Sequence, residues 1–192
     1  SEVNAHPHVA GPVAVVHNGI IENHVALRAE LRAAGCEILS DTDTELVAHL
    51  VRREVDGGQN LETAVRRSLA RLHGAYAIAV LSSLEPGRIV VAKHSSPLVL
   101  GIGEGATYCA SDVPALLPYT RNMLFMEDGE MAVLEAGGVT VTTVAGAPVQ
   151  RAVQRIDWSP AMAEKAGYKH FMLKEIFEQP RALEDTFRGR LD

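Results

Sequence analysis

Three short constellations in the chain carry residue types that do chemistry. The first is His17-Asn18-Gly19, which follows the apolar run Val13-Ala14-Val15-Val16. A strand ending there delivers an Asn amide and an unobstructed glycine N–H side by side. Two preorganised donors of that kind are what a developing oxyanion needs. The same dipeptide is also a frequent tight-turn signal, because Asn and Gly both tolerate positive φ, and a hairpin turn is its plainer reading. The second is Asp41-Thr42-Asp43-Thr44-Glu45, three carboxylates at the predicted start of a helix. Capping and the helix dipole account for such a cluster, and Thr42 with Glu45 has capping-box spacing. In the functional reading Asp43 points outward and pairs with the ammonium group of a ligand. The third is His6-Pro7-His8 with His17 and His24. His-x-His with a carboxylate such as Asp43 is the beginning of a metal site, but without a fixed third ligand structural histidines are the plainer reading.

Neither cysteine reads as a nucleophile. Cys109 lies inside an apolar strand run, where a cysteine usually packs as a small hydrophobe. Cys36 follows a helix-ending glycine and has no histidine nearby in sequence to lower its pKa. Ser1 has the chemistry of an N-terminal nucleophile with its own amine as base, but a fragment boundary explains that residue more simply.

The elements that must position these groups follow from periodicity. Ser1–Gly11 is polar and broken by Pro7 and Gly11-Pro12, so it reads as a loop. Val13–His17 reads as a buried strand leading to the Asn18-Gly19 turn. From Asn23 the period becomes helical, with Leu27, Leu31 and Ala34 on one face and Gly35 as the stop. A second helix carries Leu46, Val47, Leu50, Val51 and Val55 and ends at Gly57-Gly58. A third starts at Asn60, carries Leu61, Ala64, Val65, Leu69 and Leu72, and stops at Gly74. Seven short apolar or alternating runs follow: 75–81, 89–92, 98–102, 107–110, 123–126, 130–134 and 139–143, with one helical turn over Val113–Leu117. Such close spacing predicts antiparallel sheet. Gln150–Trp158 reads as extended, Ser159–Lys169 as a linker, and His170–Phe187 as a final helix that Pro180 should kink or restart. The class is α+β, with helices covering sheet faces.

Composition bounds the function. The 192 residues carry 18 Lys+Arg against 24 Asp+Glu, a net charge of −6. That balance argues against a nucleic-acid binder and against an anionic membrane surface. Two cysteines make no disulfide framework and fit a reducing compartment. No apolar run approaches a membrane span, and no secretory leader is visible. The chain opens on Ser1 rather than Met and ends at Arg190-Leu191-Asp192 without an obvious stop, which reads as an interior fragment.

Taken together and in order, the motifs are specific. They are Ser1-Glu2-Val3-Asn4-Ala5-His6-Pro7-His8, His17-Asn18-Gly19-Ile20-Ile21-Glu22-Asn23, Ser40-Asp41-Thr42-Asp43-Thr44-Glu45, His73-Gly74-Ala75-Tyr76, Ser95-Ser96-Pro97-Leu98, Ala110-Ser111-Asp112 and His170-Phe171-Met172-Leu173-Lys174-Glu175-Ile176-Phe177-Glu178-Gln179-Pro180. The chain closely resembles the glutamine–fructose-6-phosphate aminotransferase (isomerising) family over nearly its whole length. The resemblance implies an αββα four-layer sandwich of antiparallel sheets, N-terminal-nucleophile hydrolase-like and lacking its N-terminal strands. Residues 1–158 are then the glutaminase domain, and 159–192 the linker and first helix of the sugar-isomerase domain. It also implies a mechanism. A cysteine attacks the glutamine side-chain amide, ammonia leaves from a γ-glutamyl thioester, and water releases glutamate. The ammonia passes to fructose 6-phosphate in the second domain. Carried over by motif, Asn18 and Gly19 resemble the oxyanion hole. Asp43 resembles the carboxylate that grips the glutamine α-ammonium, and His6 a histidine lining the same pocket. His17 belongs to the motif in a structural role. The implied partners are L-glutamine, fructose 6-phosphate through the isomerase domain, and a second copy in a homodimer. The implied location is the cytoplasm, with no metal or other cofactor, no nucleic acid and no membrane.

The chain departs from that pattern by lacking the nucleophilic cysteine and the Arg-Trp-Ala-Thr-His loop that precedes the first motif in the family. The expectation is half an active site, unable to hydrolyse glutamine alone, with apolar sheet faces partly uncovered. Two rival classes remain at this level. One is a metal-dependent hydrolase built on His6, His8, His17 and Asp43, which stoichiometric zinc would reveal. The other is a non-catalytic glutamine-binding or interaction domain, which the coding sequence upstream of Ser1 would discriminate.

Overall fold

The computed structural model describes residues 2–157 and 168–187, and these fall in two units, Ser1–Ile156 and Asp157–Asp192. In the first unit, every pairing between named strands is antiparallel. A seven-stranded sheet is ordered β1 (His8–Ala10), β2 (Val13–Ile21), β3 (Gly74–Ser82), β4 (Arg88–His94), β8 (Glu130–Glu135), β9 (Gly138–Thr143), β10 (Pro148–Val149). A four-stranded sheet is ordered β11 (Gln154–Arg155), β7 (Asn122–Phe125), β5 (Val99–Ile102), β6 (Thr107–Ala110).

Three helices, α1 (His24–Ala33), α2 (Thr44–Asp56) and α3 (Leu61–Leu69), pack on one face of the larger sheet. The core there joins Leu31, Leu46, Leu50 and Leu61 to Val13, Val15, Ile78 and Val80. Each fully buried leucine contributes about 1.5–3 kcal/mol relative to exposure. A second core lies between the sheets, where Val91, Ala132, Leu134 and Val141 meet Leu100 and Leu124. A third covers the outer face of the small sheet, with the 3₁₀ turn Val113–Ala115 and Leu116 against Val99 and Met123. The layers therefore run helix, sheet, sheet, turn. Among the described residues of this unit, the fourth layer of the expected sandwich is that single turn. At the β1–β3 end of the large sheet, Val9, Val16, Ile20 and Leu81 stay exposed.

The helices and the seven strand runs form where periodicity places them, and Asn60 caps α3 by accepting the Thr63 N–H at 2.8 Å. Several expectations need correction. Ser1–Gly11 is not all loop: Glu2–Asn4 is a 3₁₀ turn, and His8–Ala10 pairs with Val13–Val15. Asn18-Gly19 is not a turn. β2 runs unbroken from Val13 to Ile21, in register with β3 from Ser82 to Gly74. The glycine serves close approach instead. Gly19 has φ +138°, and a Cβ there would sit 2.1 Å from the Ala75 carbonyl oxygen. Gly74 is the reciprocal case, with φ +117° and 2.2 Å to the Ile20 carbonyl oxygen. It opens β3 rather than stopping α3, which ends at Leu69. Pairing along the whole strand thus replaces the reversal that the dipeptide suggests.

In the second unit, α4 (Phe171–Phe187) runs continuously through Pro180. The ring of Phe177 stacks on Tyr168 at 5.7 Å, and Phe171, Met172, Ile176 and Leu183 are exposed. Most of the linker predicted over Ser159–Lys169 lies outside the described residues. No helix among the described residues is long and apolar enough to cross a membrane.

Candidate functional site

β2 and the N-terminus of α2 bring the candidate residues together. Side chains alternate along β2, so His17, Gly19 and Ile21 share the face toward α2 while Val16, Asn18 and Ile20 share the other. Asp43 immediately precedes α2 but makes no cap bond to its helix. Its Oδ2 accepts the Ile21 backbone N–H at 2.7 Å, and its Oδ1 lies 3.8 Å from His17 Nδ1. A carboxylate touching residues 17 and 21 spans residue 19, where there is no side chain. The Asp43 side chain keeps 21% exposure, so it can meet a ligand.

Asn18 and Gly19 are both exposed. On the face away from the helices, Asn18 lines a cavity of about 210 Å³ with Val16, Ala77, Leu98 and Cys109. The cavity lies beside β6, which pairs with β5 alone among the described strands. An Asn amide at such an opening can donate to an anionic oxygen, and Gly19 follows it in the strand. Cys109 shares the cavity, but burial pushes its thiol pKa up, away from a thiolate. Cys36, just after the end of α1, lines a separate cavity together with Glu37, Glu45 and His49.

Beside Asp43, the hydroxyls of Ser40, Thr42 and Thr44 organise the histidines. Thr44 Oγ1 is 3.0 Å from His17 Nδ1 and 3.2 Å from His6 Nε2. A hydroxyl has one proton to donate, so one of these two imidazoles must donate to it. Thr42 Oγ1 is 3.0 Å from His8 Nε2 and 2.9 Å from Ser40 Oγ. Ser40 Oγ donates to Glu45 Oε2 at 2.6 Å, and Glu45 also accepts the backbone N–H groups of Leu39 and Ser40. Glu45 thus satisfies the segment before the helix. The Thr42–Glu45 capping box does not form, because Glu45 has backbone donors closer to hand. Burial pushes the His17 pKa down against the pull of Asp43, favouring the neutral imidazole, and burial also lowers His8. His17 Nε2 is buried with no hydrogen-bond partner among the described residues.

The structure therefore gathers His6, His17 and Asp43 around Thr44, and places Asn18 on the opposite face of the same strand. It does not gather a metal site. His6 and His17 are turned to Thr44 and His8 to Thr42, and no three His, Cys, Asp or Glu side chains among the described residues are grouped to hold an ion. The metal-dependent reading of His6, His8, His17 and Asp43 thus has no ligand set. Sequence reasoning passes over Thr44 and the Ile21 N–H, and reads Thr42 only as a helix cap. The alternating hydroxyls at positions 40, 42 and 44 were the available signal.

Residues 2–118 match the family described as a glutamine amidotransferase domain. The chain is 59% identical over its whole length to a glutamine–fructose-6-phosphate aminotransferase (isomerising) of Symbiobacterium thermophilum, and 48% identical over 98% of its length to the enzyme of that name from Thermococcus kodakarensis. It spans 32% of each of those proteins. Among solved structures, glutamine phosphoribosylpyrophosphate amidotransferase from B. subtilis superposes with a TM-score of 0.59 and 29% identity, over 69% of this chain and 29% of that one. A glutamine aminotransferase class-II domain protein from Silicibacter pomeroyi shares the fold at a TM-score of 0.52 and 21% identity, over 73% of this chain and 70% of that one.

Proposed function

Because the chain belongs to the glutamine amidotransferase domain family, with the α+β fold of N-terminal-nucleophile hydrolases, we propose that it is the glutamine-hydrolysing part of an enzyme making glucosamine 6-phosphate from fructose 6-phosphate and L-glutamine. Residues 1–158 are the glutaminase domain, and 159–192 the linker and first helix of the sugar-isomerase domain. The observation that carries this reading is the placement of a partly exposed Asp43 carboxylate over Gly19, through its 2.7 Å bond to the Ile21 N–H, with Asn18 exposed on the other face of the same strand.

In this reading the glutamine α-ammonium pairs with Asp43, a charge-assisted contact in a partly dry site. His6 lines the pocket from the far side of Thr44. A thiolate attacks the γ-carbonyl carbon, and the C=O electron pair moves to oxygen. The Asn18 amide and the Gly19 N–H hold that oxyanion. Collapse breaks the C–N bond and, with a proton, releases ammonia. Water then cleaves the thioester to glutamate and regenerates the thiol. Cys36 lines a different cavity and burial pushes the Cys109 thiol pKa up, so in this reading the thiol comes from the rest of the full-length polypeptide. The edge of β6 that no described strand pairs, with the exposed Val16 and Ile20, offers a place for the strand that carries it. The ammonia reacts with fructose 6-phosphate in the isomerase domain, which α4 begins. A cytoplasmic homodimer is the assembly that goes with this reading.

The test is product analysis on the full-length polypeptide. Equimolar glutamate and glucosamine 6-phosphate from glutamine and fructose 6-phosphate support the assignment. Glutamine that binds and is returned intact would support the non-catalytic binding module instead.

A further inference from the structure

The chain reverses sharply next to Gly19, at a residue ill suited to it. Ser95 has φ +62° and is the one non-glycine residue with positive φ among the described residues. A serine in left-handed backbone is strained, and persists only where its surroundings hold it. The Ser96 N–H closes a tight turn across it by donating to the His94 carbonyl at 2.8 Å, and Asp128 holds that turn from outside. Its Oδ1 accepts the Ser95 N–H at 2.9 Å, and the same oxygen is 2.5 Å from Lys93 Nζ.

The reversal has two consequences at Gly19. β4 pairs regularly with β3 up to Ala77↔Lys93, after which Ser95 bridges Tyr76 in the parallel sense. Tyr76 is the residue of β3 opposite Gly19. A backbone row therefore runs from Ser95 through Tyr76 to Gly19. In addition, the buried Ser96 turns back toward β2, where its Oγ lies 2.9 Å from the position a Gly19 Cβ would take.

We propose that Asp128 is a positioning residue for the oxyanion site: by holding Ser95 in left-handed backbone, it seats Tyr76 and the Ser96 hydroxyl against Gly19. The inference rests on the proposed role of Asn18 and Gly19. Asp128 is exposed and touches none of the reacting atoms. It acts through the geometry of Gly19 alone, so its loss lowers kcat and leaves the KM for glutamine in place.

The experiment is glutaminase kinetics on the full-length polypeptide, with thermal unfolding measured alongside. Asp128→Ala is expected to lower kcat about tenfold, the effect of losing roughly one left-handed residue's worth of restraint. Asp128→Asn, which keeps an oxygen for the Ser95 N–H, is expected to retain most of the activity. The double variant Asp128→Ala/Ser95→Gly is expected to recover kcat, because glycine adopts that backbone without help. Wild-type kcat in Asp128→Ala overturns the inference. So does a loss that Ser95→Gly does not restore, or an equal loss in Asp128→Asn, since the Lys93 charge pair would then be what matters. Asn18→Ala assayed in parallel separates the two levels. If it is fully active, the oxyanion reading fails. If it is impaired while Asp128→Ala is not, only the positioning role fails.

Discussion

Asp43 is bonded to strand β2 rather than to its own helix: its Oδ2 accepts the Ile21 N–H at 2.7 Å and leaves the α2 cap without a side-chain bond. A carboxylate committed to the cap would be buried in helix geometry. One held across Gly19 has its position set by the strand and its charge available to a ligand.

Replacing Asp43 separates those two duties. Asp43→Asn keeps an oxygen for Ile21 and loses the charge. In the full-length polypeptide it is expected to raise the KM for glutamine about 10- to 150-fold, the loss of a charge-assisted contact of about 1.5–3 kcal/mol, with kcat changed far less. Asp43→Ala loses both duties and should add a drop in unfolding free energy. Initial-rate kinetics and denaturant titration read the two effects.

The close approach of β2 and β3 makes Gly19 and Gly74 intolerant of side chains. Gly19→Ala and Gly74→Ala each place a Cβ about 2 Å from a carbonyl oxygen in backbone that alanine resists. Each should cost about 2–5 kcal/mol by chemical denaturation. Gly137, which has open space around it, is the control, and Gly137→Ala should stay within about 0.5 kcal/mol of wild type.

Thr44 is expected to matter through its hydroxyl. Thr44→Val keeps the shape but strands His17 Nδ1 in a buried site, where its other nitrogen already lacks a partner. A loss of about 1–3 kcal/mol in unfolding free energy is expected, with Thr44→Ser restoring most of it.

Two of the buried histidines, His17 and His8, give a pH dependence with a definite sign. Burial holds His17 and His8 below the ordinary histidine value of about 6.5. Between that value and the folded-state values the unfolded chain binds more protons than the folded one. Stability is therefore fully present above about pH 6.5 and declines as the pH falls through it. Urea unfolding between about pH 7.5 and pH 5.5 should show that decline, and His17→Asn should flatten it.

What the sequence made legible were elements that depend on local pattern. The leucine and valine spacing of α2 and the Asn60 cap need no distant partner, and both are where periodicity puts them. Asn18-Gly19 misleads because a turn and a close strand crossing ask for the same residues. Only the nine-residue register with β3, a long-range fact, decides between them. Thr42 and Glu45 mislead likewise, since the capping box competes with the Leu39 and Ser40 donors that Glu45 finds first. The meeting of His6 and His17 on Thr44 joins positions 38 and 27 residues apart, which no local motif reports. Strands β10 and β11, two residues each, are too short to have a pattern.

Asn18 and Gly19 are proposed to hold the oxyanion of glutamine hydrolysis. The most direct measurement is kcat for glutamate release by Asn18→Ala in the full-length polypeptide. The account predicts a fall of about 10²–10³, the loss of one oxyanion donor, with the KM for glutamine within a few-fold of wild type. A variant turning over at the wild-type rate would contradict it.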